Sequence, residues 1–143
     1  MHVTFEGEIA VLNSVLRGTG MSFALVKNNL FVGAEASANF AAMVEADFVG
    51  YARINAPFGM AATDGNMHGK DTITVTFTAG ALVAPQTVYG LAAIRDIGGG
   101  VNKIIGYHNF STARVFNSPG DSIVAKINGY CDGFDPLLVG PLP

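Results

Sequence analysis

The chain has 143 residues and a formal net charge of −3, and charged residues make up 13% of it, about half the share usual for soluble domains. This length corresponds to one domain that can bury a core of its own. No run of lysine or arginine suggests nucleic acid or an anionic membrane as a partner, and the single cysteine, Cys131, excludes an internal disulfide.

Half of the residues are hydrophobic, which favours either a membrane protein or a protein that buries its surface against partners. A spanning helix needs about 20 mostly apolar residues. The most apolar window, residues 35–51, is interrupted by four polar or charged side chains: Glu35, Asn39, Glu45 and Asp47. A signal peptide is not expected either, because Glu6 and Glu8 stand where basic residues should be. We therefore expect permanent assembly with partners and no membrane contact.

Residues 1–20 are predicted to form an N-terminal arm. Val3 and Phe5 alternate with polar residues, Ile9, Leu12 and Leu16 follow at helical spacing, and "RGTG" ends the segment. The alternative interpretation is a first strand or helix that packs on its own domain.

The next segments predict short elements joined by polar turns. Residues 22–33 read as two strands around "KNN", residues 37–47 as a short helix capped by Ser37, and residues 48–54 as a strand. Residues 55–71 hold three glycines without sustained periodicity, and they predict a long loop.

The second half of the chain carries the clearest strand patterns. "TITVTFT" at 72–78 alternates apolar residues with threonine, which predicts a strand with one buried face. Residues 87–96 and 101–110 predict a hairpin whose turn is supplied by "IGGG". "STARVFN" prolongs or follows the second strand, "SPGD" at 118–121 predicts a turn, and residues 122–128 predict a last strand.

About seven short strands separated by turn signals are typical of a sandwich or barrel. We predict an all-β fold, a single antiparallel β-sandwich of jelly-roll type with one short helix and extended arms. The expected organisation is an N-terminal arm at 1–20, a domain at 21–135 and a C-terminal tail at 136–143. The candidate assembly interface is the apolar residues of the two arms: Val3, Phe5, Ile9, Leu12, Leu16, Leu137, Leu138 and Val139.

Few residues suggest chemistry. Asp64, His68 and Asp71 could ligate a metal, but their spacing matches no known loop signature. Cys131 has no neighbouring base to activate it. "GGG" at 98–100 precedes a strand rather than the helix of a phosphate loop. The sequence thus predicts no enzyme, no metal and no cofactor; sugar stacking on tyrosine is left open.

Several short motifs together resemble the small structural proteins of tailed double-stranded DNA bacteriophages. They are "MSFALVKNNLFVG", "FVGYARI", "TITVTFTAG", "VYGLAAIRDIGGGVNKIIGYHNF" and "SPGDSIVAKI", which cover residues 21 to about 129. Proteins of that group usually begin where Met21 stands, so residues 1–20 look like an addition.

The resemblance implies a virion component without enzymatic activity. The leading expectation is a capsid decoration or cement protein on the outer surface of the head. Its partners would be the major capsid protein and itself, as a homo-oligomer and most simply a trimer, with no nucleic acid and no membrane bound. The alternative is a tail or host-attachment component whose loop at 55–71 faces a receptor. An enzyme and a cellular binding module are further hypotheses, which the sequence favours less than these two.

Overall fold

A computed structural model of the chain describes residues 20–30, 40–55, 62–63, 69–82 and 84–130. The described residues form seven strands and a 3-10 turn at Phe40–Ala42. The strands are β1 (Met21–Val26), β2 (Ile54–Asn55), β3 (Ala62–Thr63), β4 (Gly69–Thr78), β5 (Gln86–Asp96), β6 (Asn102–Phe116) and β7 (Ser122–Tyr130). In this part of the chain no helix is long and apolar enough to cross a membrane.

The strands form two antiparallel sheets, so the predicted all-β class is confirmed. The first sheet has the order β2-β1-β5-β6 and the second has the order β3-β4-β7. β5 and β6 are joined directly as a hairpin, whereas the turn after β6 leads into β7 of the other sheet. The long strands therefore come from the second half of the chain, where the sequence alternates most regularly.

The second sheet follows the predicted division into two faces. In β4, Val75 and Phe77 are buried, whereas Thr74, Thr76 and Thr78 are exposed. In β7, Ile123, Ala125 and Ile127 are half-buried and lie on the side of the core. The register pairs Phe77 with Ile123 and Thr76 with Val124, so like faces meet across the two strands.

A main core cluster contains side chains from both sheets. Phe23 and Leu25 of β1, Val75 and Phe77 of β4, and Phe116 of β6 belong to it. Rings also pack on one another at its edge, with Phe48 and Phe116 centroids 4.7 Å apart. Alternate residues of a strand point to opposite faces, which explains why every second residue of these strands contributes.

A second cluster lies on the other face of the first sheet. It contains Ala24 and Val26 of β1 and Ala92 and Ile94 of β5, and Leu30 covers them. Because β1 contributes to both clusters, all six of its residues are buried. This explains why "MSFALV" reads as a nearly continuous apolar run rather than as an alternating one.

The predicted helix over 37–47 is wrong for the part of it that is described. Only Phe40–Ala42 forms a single 3-10 turn, and the following residues are extended. Lys27 N donates to Val44 O at 2.7 Å, and Ala46 N donates to Leu25 O at 3.0 Å. These residues therefore pair with the part of the β1 edge that β2 does not cover, and this pairing overrides the local helical pattern.

The predicted strand over 48–54 is also wrong, since only Ile54–Asn55 pairs with β1. Residues 48–51 form a tight turn in which Tyr51 N donates to Phe48 O at 2.9 Å. Gly50 supplies the positive φ of 85° at the third position, as a type II turn requires.

The predicted loop over 55–71 contains strand structure in its described part. β3 pairs with the first residues of β4, with Thr63 opposite Gly69. The strand predicted over 72–78 therefore begins earlier, at Gly69, because β3 and the end of β7 both pair with its first residues.

Candidate assembly surface

The eight residues predicted as an assembly interface lie outside the described residues. They are Val3, Phe5, Ile9, Leu12, Leu16, Leu137, Leu138 and Val139. His2 and Cys131 also lie outside them. The predicted role of both arms stays a prediction, and the surfaces that can be evaluated are those of the two sheets.

The grouping of the three residues weighed as metal ligands is not tested by the described structure. Asp64 and His68 lie outside the described residues, and Asp71 is a backbone position of β4. Within the part of the chain that is described, no cluster of three His, Cys, Asp or Glu side chains could hold a metal ion.

The turn between β5 and β6 is built by backbone conformations that favour glycine. Gly98, Gly99 and Gly100 have φ angles of 109°, 64° and 76°. The turn is closed by Ile97 N, which donates to Val101 O at 2.9 Å, and by Gly98 N, which donates to the Asp96 carboxylate at 2.8 Å. The predicted hairpin is confirmed, and its end is held by local hydrogen bonds.

This turn presents apolar side chains to solvent. Ile97 is 62% exposed and Val101 is 48% exposed, and we call these two residues the tip patch. A Cβ added at any of the three glycines would meet nothing within 4 Å, so the turn stands clear of the other described residues. Two branched apolar side chains on a projecting turn can be buried by a partner without rearrangement of the fold.

Cations flank the tip patch. Arg95 and Lys103 are directly opposite each other in the register of β5 and β6, an arrangement of like charges that destabilises a hairpin. Asp96 is already bound to the turn backbone. A partner that offers an apolar pocket would complement this end of the hairpin.

Other apolar side chains are exposed farther along the sheets. β6 contains an extra residue near Ile105, where the register shifts between Ala93 and Ile94, and Ile105 is 38% exposed. Near the opposite end of the hairpin, Tyr89 and Val115 are exposed, and Val124 is exposed on β7. Isolated exposed apolar residues are common on proteins, so the paired residues of the tip patch are the stronger candidate.

A polar network joins the 45–53 segment to β1. The Tyr51 hydroxyl donates to Glu45 Oε1 at 2.8 Å and accepts from Leu25 N at 3.1 Å. The Arg53 guanidinium donates to both Glu45 oxygens, the shortest at 2.8 Å, and lies over the ring of Phe40, 5.2 Å from its centroid. This network satisfies a buried backbone N–H that the short β2 leaves without a strand partner.

The network raises the pKa values of two of its members. Burial first, and then the hydrogen bond to Glu45, raises the pKa of Tyr51 above its ordinary value. The hydrogen bond to Glu45 raises the pKa of Arg53. Both shifts hold these groups in the protonation states they have at neutral pH, which suits a structural role better than proton transfer.

A cleft of about 210 Å³ opens beside this network, between residues 48–54 and residues 76–78. The ionisable side chains that line it are Tyr51 and Arg53, and both are bound to Glu45. With these ionisable side chains already engaged, the cleft offers little acid–base chemistry to a small molecule.

Sequence reasoning missed both the tip patch and the network. Ile97 and Val101 bracket the glycines, but the sequence pattern predicts only a hairpin turn there and no contact surface. Two apolar residues directly beside a glycine turn are the signal that could have identified a surface. For the network, the signal was the placement of Glu45, Tyr51 and Arg53 around a "VG" turn.

Comparisons of the chain with protein-family models, with curated proteins and with solved structures found no match.

Proposed function

We propose that the protein is a structural component of a bacteriophage virion, a decoration or cement protein that stabilises the head by bridging major capsid proteins on its outer surface. The observation that carries the proposal is the projecting hairpin with its exposed Ile97 and Val101. The low charged fraction of 13% and the resemblance of its short sequence motifs to those of such proteins support it.

We also propose that the two sheets pack as a β-sandwich of jelly-roll type. The support is that β1, β4 and β6 all contribute to one core cluster and that the chain passes from one sheet to the other between β6 and β7. A sandwich presents its turns at the two ends, which places the β5–β6 turn where a partner can reach it.

The mechanism of such a protein is mass action rather than chemistry. A ligand that binds only the assembled lattice stabilises each site by RT ln(1 + [L]/Kd). Many weak contacts of the tip patch, repeated over a shell, would then oppose the pressure of packaged DNA. The proposal includes no enzymatic activity and no cofactor, and its site is the virion surface.

The first test measures how many copies each particle holds. Gel densitometry of purified virions should give hundreds of copies, as a head lattice requires. A count near a dozen would contradict the decoration role and favour the alternative, a tail or host-attachment component.

The second test measures attachment. Heads that lack the protein should bind the purified wild-type chain, and the double variant Ile97→Ser, Val101→Ser should bind about tenfold more weakly or worse, since burial of one such side chain is worth about 1.5–3 kcal/mol. Val124→Ser is the matched control, because Val124 is 63% exposed but lies on the other sheet. Equal binding by the double variant would exclude the tip patch as the contact.

A further inference from the structure

The outer edge of β6 is open in the described structure. β6 is the last strand of its sheet and pairs only with β5 among the described strands. It is fifteen residues long. Its register with β5 shifts near Ile105 and again between Asn109 and Arg114, but it is still far longer than the short edge strands by which proteins avoid unwanted pairing. An edge of this length has room for one more strand.

The side chains of β6 select the kind of strand that can pair there. Its basic residues are Lys103, His108 and Arg114, all of them exposed, and Asp and Glu are absent between 102 and 116. Two β6 edges in antiparallel pairing would bring cations together, which is unfavourable. The edge therefore fits an acidic strand.

One segment of this chain has that character. Residues 3–9, "VTFEGEI", alternate strictly, with Val3, Phe5 and Ile9 on one side and Glu6 and Glu8 on the other. Nineteen residues precede Gly20, where the described structure begins. We propose that residues 3–9 of one copy add as a strand to the β6 edge of a second copy.

The faces of the sheet agree with this pairing. Lys103 and His108 are opposite Arg95 and Leu91 in the register, so they share the face that carries Leu91 of the main cluster. If the two glutamates lie on the same face as these cations, with one of them beside Lys103, Phe5 and Ile9 fall on the other face. That face holds Ile104, which packs against the second cluster, and the added strand would extend this cluster.

A second copy is the better donor because of the composition of the chain. A charged fraction of 13% favours an assembly over a monomer closed by its own arm. A contact between the arm of one copy and the edge of the next is heterologous, and such contacts close into rings when the rotation allows. The inference deepens the proposed homo-oligomer and does not depend on attachment to a head.

Charge exchange in the full-length protein tests the pairing. Lys103→Glu should weaken oligomerisation about fivefold or more, measured as the dissociation constant by sedimentation equilibrium, since a cross-strand ion pair is worth up to about 1 kcal/mol. Glu6→Lys with Glu8→Lys should weaken it similarly, and the three substitutions together should restore most of the affinity. Lys126→Glu, an exposed change on β7, is the control and should have no effect. The absence of restoration, or an equal loss with Lys126→Glu, would overturn the proposal.

Disulfide trapping separates the possible donors. In a Cys131→Ser background, Glu8→Cys combined with Lys103→Cys or His108→Cys should oxidise to a covalent ladder on a non-reducing gel, whereas Glu8→Cys with Lys126→Cys should not. A link within one chain would show that the arm closes its own sheet, and no link at all would show that it binds elsewhere; either result overturns the proposal. Because only purified protein is used, a failure of head attachment would leave this result unaffected.

Discussion

β1 and β6 belong to the same sheet yet differ in nearly every physical respect. β1 has six residues, all buried, and supplies side chains to both core clusters. β6 has fifteen residues, of which only Phe116 is buried. One strand is held by packing on two faces, and the other is held mainly by its hydrogen bonds to β5.

The difference separates what folds the chain from what is offered to a partner. The apolar side chains of a strand such as β1 are all buried in the core, so substitutions there should change the stability of the fold. β6 carries alternating, small and basic residues on an edge, so substitutions there should change association.

The largest effect is expected in β1. Phe23→Ala should lower the free energy of unfolding by about 3–5 kcal/mol, because the ring is fully buried in the main cluster and its loss leaves a cavity. Ile105→Ala in β6 should change it by no more than about 0.5 kcal/mol. Urea unfolding measures both. Comparable losses would mean that β6 is as much part of the core as β1.

A smaller effect is expected at Gly90, where β5 has no space for a Cβ beside β6. A Cβ at Gly90 would lie 2.5 Å from the His108 carbonyl oxygen and 2.6 Å from the Tyr107 hydroxyl. Gly90→Ala should therefore destabilise the protein by about 1–3 kcal/mol through overpacking.

Gly106→Ala on the neighbouring strand is the matched control. Its Cβ would meet only the Ala93 Cβ, at 3.6 Å, so it should be neutral or stabilise by about 0.4–1 kcal/mol. If both variants lose the same stability, the close approach at Gly90 is not what fixes the register of the hairpin.

The regular strands were predictable because their information is local. Alternation in residues 72–78 and 122–128, with glycine between 97 and 101, is enough to define strands and a turn. The extended residues after Phe40–Ala42 were not predictable, since their conformation is set by Val44 and Ala46 pairing with β1. The local sequence around these residues gives no information on whether the edge of β1 has a free hydrogen-bonding position.

The candidate surface was less predictable than the fold. The sequence places Ile97 and Val101 beside a turn, but their exposure depends on how far the hairpin projects past the other strands. Similarly, Glu45 and Arg53 are eight residues apart, and only the turn at Gly50 brings them into contact. Periodicity specifies faces within one strand, whereas surfaces arise from the arrangement of several.

Removal of the Tyr51 hydroxyl should have an intermediate effect. Tyr51→Phe leaves Leu25 N without its acceptor and removes one of the donors to Glu45, which keeps its bonds from Arg53; this should lower stability by about 1–3 kcal/mol. Tyr89→Phe, at an exposed site, is the control and should change nothing measurable in urea unfolding.

The stability lost in Tyr51→Phe should depend on pH, and the pKa shift of Tyr51 gives the direction. Burial and the bond to Glu45 raise the pKa of Tyr51, whereas in the unfolded chain it is about 10. The neutral hydroxyl therefore stabilises the fold fully below about pH 10, and its contribution falls as the pH rises above that value. The difference between wild type and Tyr51→Phe should shrink above pH 10, and a difference that grows would contradict the assignment.

The smallest effect is expected at the turn between β6 and β7, which connects the two sheets. Asp121 Oδ2 accepts from Asn117 N at 2.8 Å and from Ser118 N at 2.9 Å, and these backbone bonds lower the pKa of Asp121. The ionised carboxylate thus stabilises the turn above the unfolded pKa of about 3.9. That contribution is lost as the pH falls through the lower folded value.

Asp121→Asn should therefore reduce the urea midpoint slightly at pH 7 and make it fall less steeply between about pH 5 and pH 2. Ser122→Ala, an exposed neighbour, should keep the wild-type pH profile. Because solvent screens this exposed carboxylate, the effect should be far below that of Phe23→Ala. If the urea midpoint of Asp121→Asn fell as steeply at acidic pH as that of the wild type, other titratable groups would cause the pH dependence of stability. The turn between the sheets would then be held by its backbone hydrogen bonds alone.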